Sequence, residues 1–93
     1  MPSFDLVADI SSDQPESIRP VIAHLFPSGV TESRDGFHIE ATLSGESARE
    51  LNRAVLSTLR REERRTRLRA AWTVDGITER FFDYVSKGTR PAR

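Results

Sequence analysis

The sequence predicts a two-layer α+β sandwich, in which two helices cover one face of a mainly antiparallel sheet. Residues 3–10, 37–43 and 67–74 alternate apolar and polar side chains, which is the period of a half-buried strand. Residues 18–26 and 48–59 instead place apolar side chains three and four positions apart, the spacing of one helix face. Because two helices cover only one face of so small a sheet, the other face is left for solvent or for a partner.

The composition is that of a single small domain, residues 1–93. It has 37% hydrophobic and 30% charged residues and no cysteine, so disulfide and thiolate chemistry are excluded. No apolar run approaches the roughly 20 residues that cross a bilayer, and the N-terminus lacks the features of a signal peptide. We therefore expect a cytoplasmic protein without a membrane partner.

The first helix is predicted to begin near Glu16 and to end at Pro27. Pro20 is compatible with the first turn of a helix, where the N–H groups lack intrahelical partners. Next, Asp35–Gly36 is a tight-turn signal that predicts a hairpin over residues 28–43. The sequence does not fix the register of that hairpin.

The second helix is predicted to follow Ser47, which forms a capping-box pattern with Glu50. After the strand of residues 67–74, Asp75–Gly76 marks another tight turn. Residues 77–86 then have two interpretations: their aromatic residues favour a strand, whereas apolar residues four apart favour a helix. The Asp-Gly signal between two alternating segments favours the strand.

The predicted order is thus strand, helix, strand, strand, helix, strand, with one further strand that closes a C-terminal hairpin. This order is typical of the ferredoxin-like βαββαβ architecture. Residues 88–93, which are rich in Gly, Pro and Arg, are predicted to be a disordered tail.

Arginines are concentrated where the second helix meets the following strand. The six are Arg60, Arg61, Arg64, Arg65, Arg67 and Arg69. Arginines bind phosphates in bidentate fashion, so this segment is a candidate nucleic-acid site. The alternative is a solvated helix end, in which Glu62 and Glu63 pair with arginines three and four residues on. Charge is also uneven along the chain: residues 1–48 contain two basic and eight acidic side chains.

The C-terminal hairpin adds aromatic residues to this candidate site. If Val74 pairs with Ile77, Phe82 faces Arg69 and Tyr84 faces Arg67. Arg80 lies on the same outer face, while Trp72 lies on the opposite, core face. Arginines interleaved with aromatic rings are typical of sheet surfaces that bind single-stranded RNA, and equally of dimer interfaces. Both interpretations stay open.

Enzyme chemistry has little support in the sequence. His24 and His38 have no second His or Cys at metal-ligand spacing. Asp5 and Asp9 share a strand face but lie roughly 13 Å apart, too far to divide acid and base roles. We therefore expect a protein without catalytic residues, metal or cofactor.

The residue pattern of the second helix resembles that of a known family. The segment Leu51–Arg60 follows a strand, a helix and a hairpin, and it is similar to a helix pattern of Leu, a small residue, Val or Ile, Ser, Leu and Arg. In this order and pattern, residues 4–60 resemble the small dimer-forming subunit of the KEOPS tRNA-modification complex. The chain differs from that family at Leu56, where Asn is usual, and residues 61–84 have no clear counterpart. The resemblance implies a non-catalytic, dimerising adaptor near tRNA.

These observations predict a small non-enzymatic binding or adaptor protein, dimeric, that contacts RNA or a nucleic-acid-associated partner through an arginine and aromatic face. The alternative is a structural or regulatory protein–protein module, in which the same face is a homo-oligomer interface.

Overall fold

A computed structural model describes residues 1–91 of the chain. Its elements are β1 (Ser3–Ser11), α1 (Pro15–Leu25), β2 (Val30–Glu32), β3 (Gly36–Ser44), α2 (Ala48–Glu62), β4 (Arg67–Val74), β5 (Ile77–Phe82) and β6 (Val85–Pro91). The strands form one antiparallel sheet in the order β2-β3-β1-β4-β5-β6. The predicted α+β fold with an antiparallel sheet and two helices is confirmed, and the sheet has one strand more than predicted.

Strand β1 lies between β3 and β4, so its two registers determine which residues of these three strands lie opposite one another. Asp9 lies opposite His38 on β3 and opposite Arg69 on β4. Residues opposite each other in an antiparallel pair point to the same face of the sheet. Each such row of side chains therefore runs across the sheet on one side only.

The core lies between the sheet and the two helices. Alternate residues of β1 are buried, as the period of two requires. Trp72 of β4 is 1% exposed, which confirms its predicted place in the core. The two helices supply the other half of this core, with buried residues such as Ile22 of α1 and Leu59 of α2.

Helix α1 starts one residue before the predicted position, whereas α2 follows Ser47 as predicted. Helix α1 begins at Pro15, so Pro20 falls in its second turn rather than its first. The cost of the missing N–H there is limited because the Pro20 side is exposed to water. At the start of α2, the Ser47 side chain accepts a hydrogen bond from the backbone N–H of Glu50 at 3.1 Å. This is the serine half of the predicted capping box.

The predicted hairpin of residues 28–43 is formed by β2 and β3. Its register, which the sequence leaves open, pairs Val30 with Ile39 and Glu32 with Phe37. Gly36 packs so closely on β1 that a Cβ atom there would collide with the carbonyl oxygen of Ile10. A glycine at the start of β3 thus permits the close approach of the two strands.

The C-terminal region contains the largest departure from the prediction. Asp75 and Gly76 both have positive φ, 53° and 75°, as a type I′ turn requires. The predicted pairing of Arg69 with Phe82 is confirmed. However, β5 ends at Phe82, and the chain reverses at Asp83 (φ 56°) into β6.

Two predictions change as a result of this second reversal. Tyr84 lies in the turn, so it does not pair with Arg67 on the outer face of the sheet. Residues 88–91, which the sequence predicts to be part of a disordered tail, belong to β6 and pair with β5. Residues 92 and 93 lie outside the described residues. The pairing of β5 with β6 contains a bulge between Arg80 and Phe81. Because a bulge interrupts the alternation of a strand, the period of two does not reveal this strand in the sequence.

Over residues 1–91, neither helix is both long enough and apolar enough to cross a membrane.

Candidate functional site

The sheet face opposite the helices, here called the open face, carries charged side chains in rows. One row crosses the open face through His38, Asp9, Arg69, Phe82 and Val85. The adjacent row contains Glu40, Val7, Ala71 and Arg80. The acidic side chains stand on β1 and β3, whereas the basic ones stand on β4 and β5. The open face is therefore divided into two halves of opposite charge.

The cationic half surrounds an exposed aromatic ring. Phe82 is 44% exposed, and the Arg69 guanidinium lies 5.1 Å from its ring centroid. Lys87 of β6 places its ammonium 5.5 Å from the same centroid. Within residues 1–91, neither Arg69 nor Arg80 forms an ion pair, although Asp9 is the cross-strand neighbour of Arg69. The Arg69 side chain lies over Phe82 instead, where cation–π attraction holds it.

The acidic half is organised around one histidine. Nδ1 of His38 lies 2.8 Å from a carboxylate oxygen of Asp9, and Nε2 lies 3.0 Å from one of Glu40. The hydrogen bond with Asp9, and then that with Glu40, raise the pKa of His38 above 6.5. Even so, the side chains of Asp9 and Glu40 remain 73% and 70% exposed. These two carboxylates are directed to solvent over most of their surface.

Four arginines of the predicted segment meet at one end of the sheet. A surface pocket beside the α2–β4 connection is lined by Asp13, Arg60, Arg64, Arg65, Arg67 and Asp83. Arg65 contacts Asp13 at 3.4 Å, and Arg67 contacts Asp83 at 3.9 Å. Pairs this long and this exposed stabilise the fold little. The exposed side chains of Arg64, Arg65 and Arg67 are thus available to an anion.

Arg60 has a structural position within this group. Its Nε donates to the carbonyl oxygen of Thr66 at 2.8 Å, and its guanidinium lies 3.5 Å from Asp83. Its Cζ atom also lies 5.3 Å from the Tyr84 ring centroid. Arg60 therefore connects the end of α2 to the β5–β6 turn.

The predicted pairing of Glu62 and Glu63 with nearby arginines is not formed among residues 1–91. Glu63 instead accepts the backbone N–H of Arg65 at 3.0 Å and the hydroxyl of Ser12 at 2.9 Å. The first of these bonds is the main cause of the lowered pKa of Glu63. Glu63 therefore shapes the connection between α2 and β4, while Arg61 stands exposed in the last turn of α2.

Tyr84 lies on the helix side of the molecule. Its hydroxyl is 3.2 Å from the Ser57 hydroxyl of α2. The structure thus brings Arg67, Arg69, Arg80 and Phe82 together on the open face and separates Tyr84 from them. Lys87, which the sequence analysis does not include in the candidate site, joins this group. The local signal for the reversal is Asp83 itself, because Asp is a turn residue that tolerates positive φ.

Across residues 1–91, no group of three or more His, Cys, Asp or Glu side chains is suited to hold a metal ion. No protein-family model, no curated protein and no solved structure matches this chain.

Proposed function

We propose that the chain is a small non-enzymatic RNA-binding protein that holds single-stranded RNA on the cationic half of its open face. This surface, here called the cationic strip, consists of Arg67, Arg69, Arg80, Phe82 and Lys87. The observation that carries the proposal is the exposed Phe82 ring beside Arg80 on its own strand and Arg69 on the neighbouring one, two arginines without an ion pair in the described part of the chain, residues 1–91. Cations contact phosphates and an aromatic face stacks a base without regard to sequence.

The arginines of the α2–β4 connection extend the cationic strip. Arg67 lies at the first position of β4, next in the chain to the pocket that Arg64 and Arg65 line. Arg69 lies two residues on, roughly 7 Å away at the rise of a strand. A strand of RNA along the first half of β4 would therefore meet two successive cations on the open face. Arg61, exposed at the end of α2, adds positive charge nearby.

The acidic half limits where RNA lies. Asp9 and Glu40 stand on β1 and β3, and their negative charges repel phosphates. In this proposal the RNA therefore follows β4 to β6 and does not cross the whole sheet. This confinement differs from an RNA platform that uses every strand of its sheet.

The proposal also includes the ferredoxin-like core, the family resemblance and the cellular location that the sequence suggests. The order β2-β3-β1-β4, with a helix after β1 and another after β3, supports a ferredoxin-like core to which β5 and β6 are added. The KEOPS resemblance of residues 4–60 stays a prediction; it implies the same kind of role, an adaptor near tRNA. A cytoplasmic location belongs to the same proposal.

The test is the salt dependence of binding to a labelled single-stranded RNA of mixed sequence. Binding should weaken steeply with salt, and Arg67→Gln and Arg69→Gln should each flatten the slope by about 0.7 per lost contact. Arg53→Gln is the matched control, because Arg53 is exposed on α2, away from the open face. If the wild-type protein does not bind this RNA even at low salt, the proposal is wrong.

A second candidate function, a module for self-association, is favoured by the division of the open face into halves of opposite charge.

A further inference from the structure

We infer that the open face docks onto the open face of a second copy of this chain, with the acidic half of each copy over the cationic half of the other. Because the second copy and RNA would both bind the cationic strip, they would compete for it. That one consequence rests on the proposed function. The docking itself rests only on the charges and rows of the sheet.

The first argument is the symmetry of the charge pattern. A two-fold axis that runs parallel to the strands, above the boundary of β1 and β4, places β1 of one copy over β4 of the other. The same rotation places β3 over β5. Rotation about such an axis leaves the height along the strands unchanged, so residues of one row meet residues of the same row. An interface of this kind is isologous, as in most dimers.

The second argument is the identity of the residues that would meet. Asp9 lies in the same row as Arg69, so it faces Arg69 of the second copy. Glu40 lies in the same row as Arg80, because Val7 and Ala71 connect them across the sheet. Each ion pair occurs twice in the dimer. Between them, Val7 meets the second copy's Ala71 and supplies an apolar centre.

The third argument is what these groups lack within one copy. Val7 is 49% exposed, although a valine at the middle of a sheet is usually covered. Asp9 and Glu40 contact only His38 among the ion pairs of residues 1–91, and Arg69 and Arg80 contact no carboxylate there. Docking brings each of these charges to an opposite one. In the same row, His38 meets the Phe82 ring of the second copy, and its raised pKa favours the cationic form that a ring attracts.

The size of the face sets the strength of the contact. Six strands about 4.8 Å apart and about 20 Å long present roughly 500 Å² on each copy. The total of about 1,000 Å² is at the low end of specific interfaces, where complexes are weak and transient. We therefore expect dimers that form in the micromolar range or above and that weaken with salt.

Competition with RNA follows from the same geometry. In the dimer, the carboxylates of Asp9 and Glu40 occupy the positions over Arg69 and Arg80 that phosphates take in the proposed RNA complex. The acidic half of one copy thus takes the place of RNA on the cationic strip of the other copy. Dilution or loss of the acidic half frees the strip.

The decisive experiment is a charge exchange between the two halves. One variant carries Asp9→Lys and Glu40→Lys, and the other carries Arg69→Glu and Arg80→Glu. In each variant the four positions that would face each other then carry the same sign of charge, so each variant should lose self-association by about tenfold or more. An equimolar mixture should restore it as a heterodimer. Molar mass is measured by sedimentation equilibrium from micromolar to several hundred micromolar, against a monomer mass of 10.5 kDa.

The controls separate folding and general charge effects from docking. Circular dichroism checks the fold of both variants, which we expect to be kept because all four positions are exposed on the open face. Arg53→Glu with Glu62→Lys reverses two exposed charges of α2 and should leave the molar mass of the wild type unchanged. A wild-type protein that stays at 10.5 kDa throughout the range overturns the inference, as does a mixture of folded variants that does not associate.

The RNA measurement distinguishes this inference from the proposed function. Asp9→Asn with Glu40→Gln should weaken the dimer and tighten RNA binding when the protein is concentrated enough to dimerise. If the charge-exchanged mixture associates but no variant binds RNA, the docking stands and the RNA function is wrong. If RNA binds and the mixture stays monomeric, the docking is wrong and the proposed function stands.

Discussion

Trp72 and Asn52 share a hydrogen bond inside the core: the indole Nε1 of Trp72 donates to Oδ1 of Asn52 at 3.2 Å. The other end of the Asn52 amide, Nδ2, donates to the carbonyl oxygen of Asp83 at 2.7 Å. One buried amide of α2 therefore holds both the central tryptophan of β4 and the turn that leads into β6. Because both polar groups of the amide have partners, its burial costs little.

Replacement of Trp72 by Ala should lower the free energy of unfolding by about 3–5 kcal/mol, because it leaves a large cavity under the sheet. Phe82→Ala is the matched control on the open face, where the loss should stay under about 1 kcal/mol. Denaturant midpoints of the two variants measure the difference. Similar midpoints would show that the facing of the last hairpin is wrong.

Replacement of Asn52 by Leu should destabilise the protein through its polar partners rather than through packing. It leaves the buried indole N–H of Trp72 without a partner, at about 1–3 kcal/mol, and it removes the donor to the part-buried carbonyl of Asp83. Asn52→Asp keeps the acceptor for Trp72 and loses the donor, so its effect should be different in size from that of Asn52→Leu. Ser57→Ala, which removes only the exposed contact with Tyr84, is the control. Equal unfolding temperatures of N52L and S57A would contradict the role of Asn52 as a bridge between Trp72 and Asp83.

The imidazole of His38 should make stability depend on pH. Its pKa is raised above 6.5 in the folded protein, chiefly by Asp9 and then by Glu40, so the proton binds more tightly in the folded state. The stabilisation is therefore fully present below the unfolded pKa of 6.5, and it is lost as the pH rises through the raised folded value.

His38→Gln removes this contribution, so the wild type should exceed the variant in stability by more at about pH 5.5 than at about pH 8.5. Urea unfolding at low protein concentration measures both differences without a contribution from self-association. His24→Gln, at an exposed position of α1 on the helix side of the molecule, is the control for the loss of an imidazole. Equal differences between wild type and H38Q at the two pH values would refute the prediction.

The two aromatic residues of the predicted site, Phe82 and Tyr84, should differ in their contribution to RNA affinity. Phe82→Ala should weaken binding by roughly 1–3 kcal/mol, as the loss of a stacking ring does, and should leave the salt slope unchanged. Tyr84→Ala should leave RNA affinity unchanged, because the Tyr84 ring lies against Arg60 on the helix side. Fluorescence anisotropy with the same labelled RNA makes the comparison. Equal losses from both variants would show that RNA also contacts the turn at Tyr84 and is not confined to the open face.

Much of the fold follows from local patterns in the sequence. The bounds of β4, the burial of Trp72 and the turn at Asp75–Gly76 follow from a period of two and from one dipeptide with a strong conformational preference. The pairing of Arg69 with Phe82 then follows from the turn alone. Short-range rules suffice wherever the chain reverses within a few residues.

The parts that sequence inspection missed depend on contacts between distant segments. The turn at Asp83 is held by Leu68, whose N–H donates to the Asp83 carboxylate at 2.9 Å, and by the Asn52 amide. No local pattern contains these partners. The acidic half of the open face is also invisible in the sequence, since Asp9 and Glu40 become neighbours of the arginines only through strand order.

The central place of β1 affects how the chain folds during synthesis. Ile10 of this first strand pairs with Phe37 on one side and with Leu68 on the other, across most of the chain. Pairings of such long sequence separation slow folding, since a large loop closes before any contact repays its entropy. On the ribosome, the central sheet therefore forms completely only after β4 has emerged. Until then, one edge of β1 stays unpaired. Chains halted after residue 66 should be cut rapidly in pulse proteolysis, whereas chains that extend beyond β5 should resist.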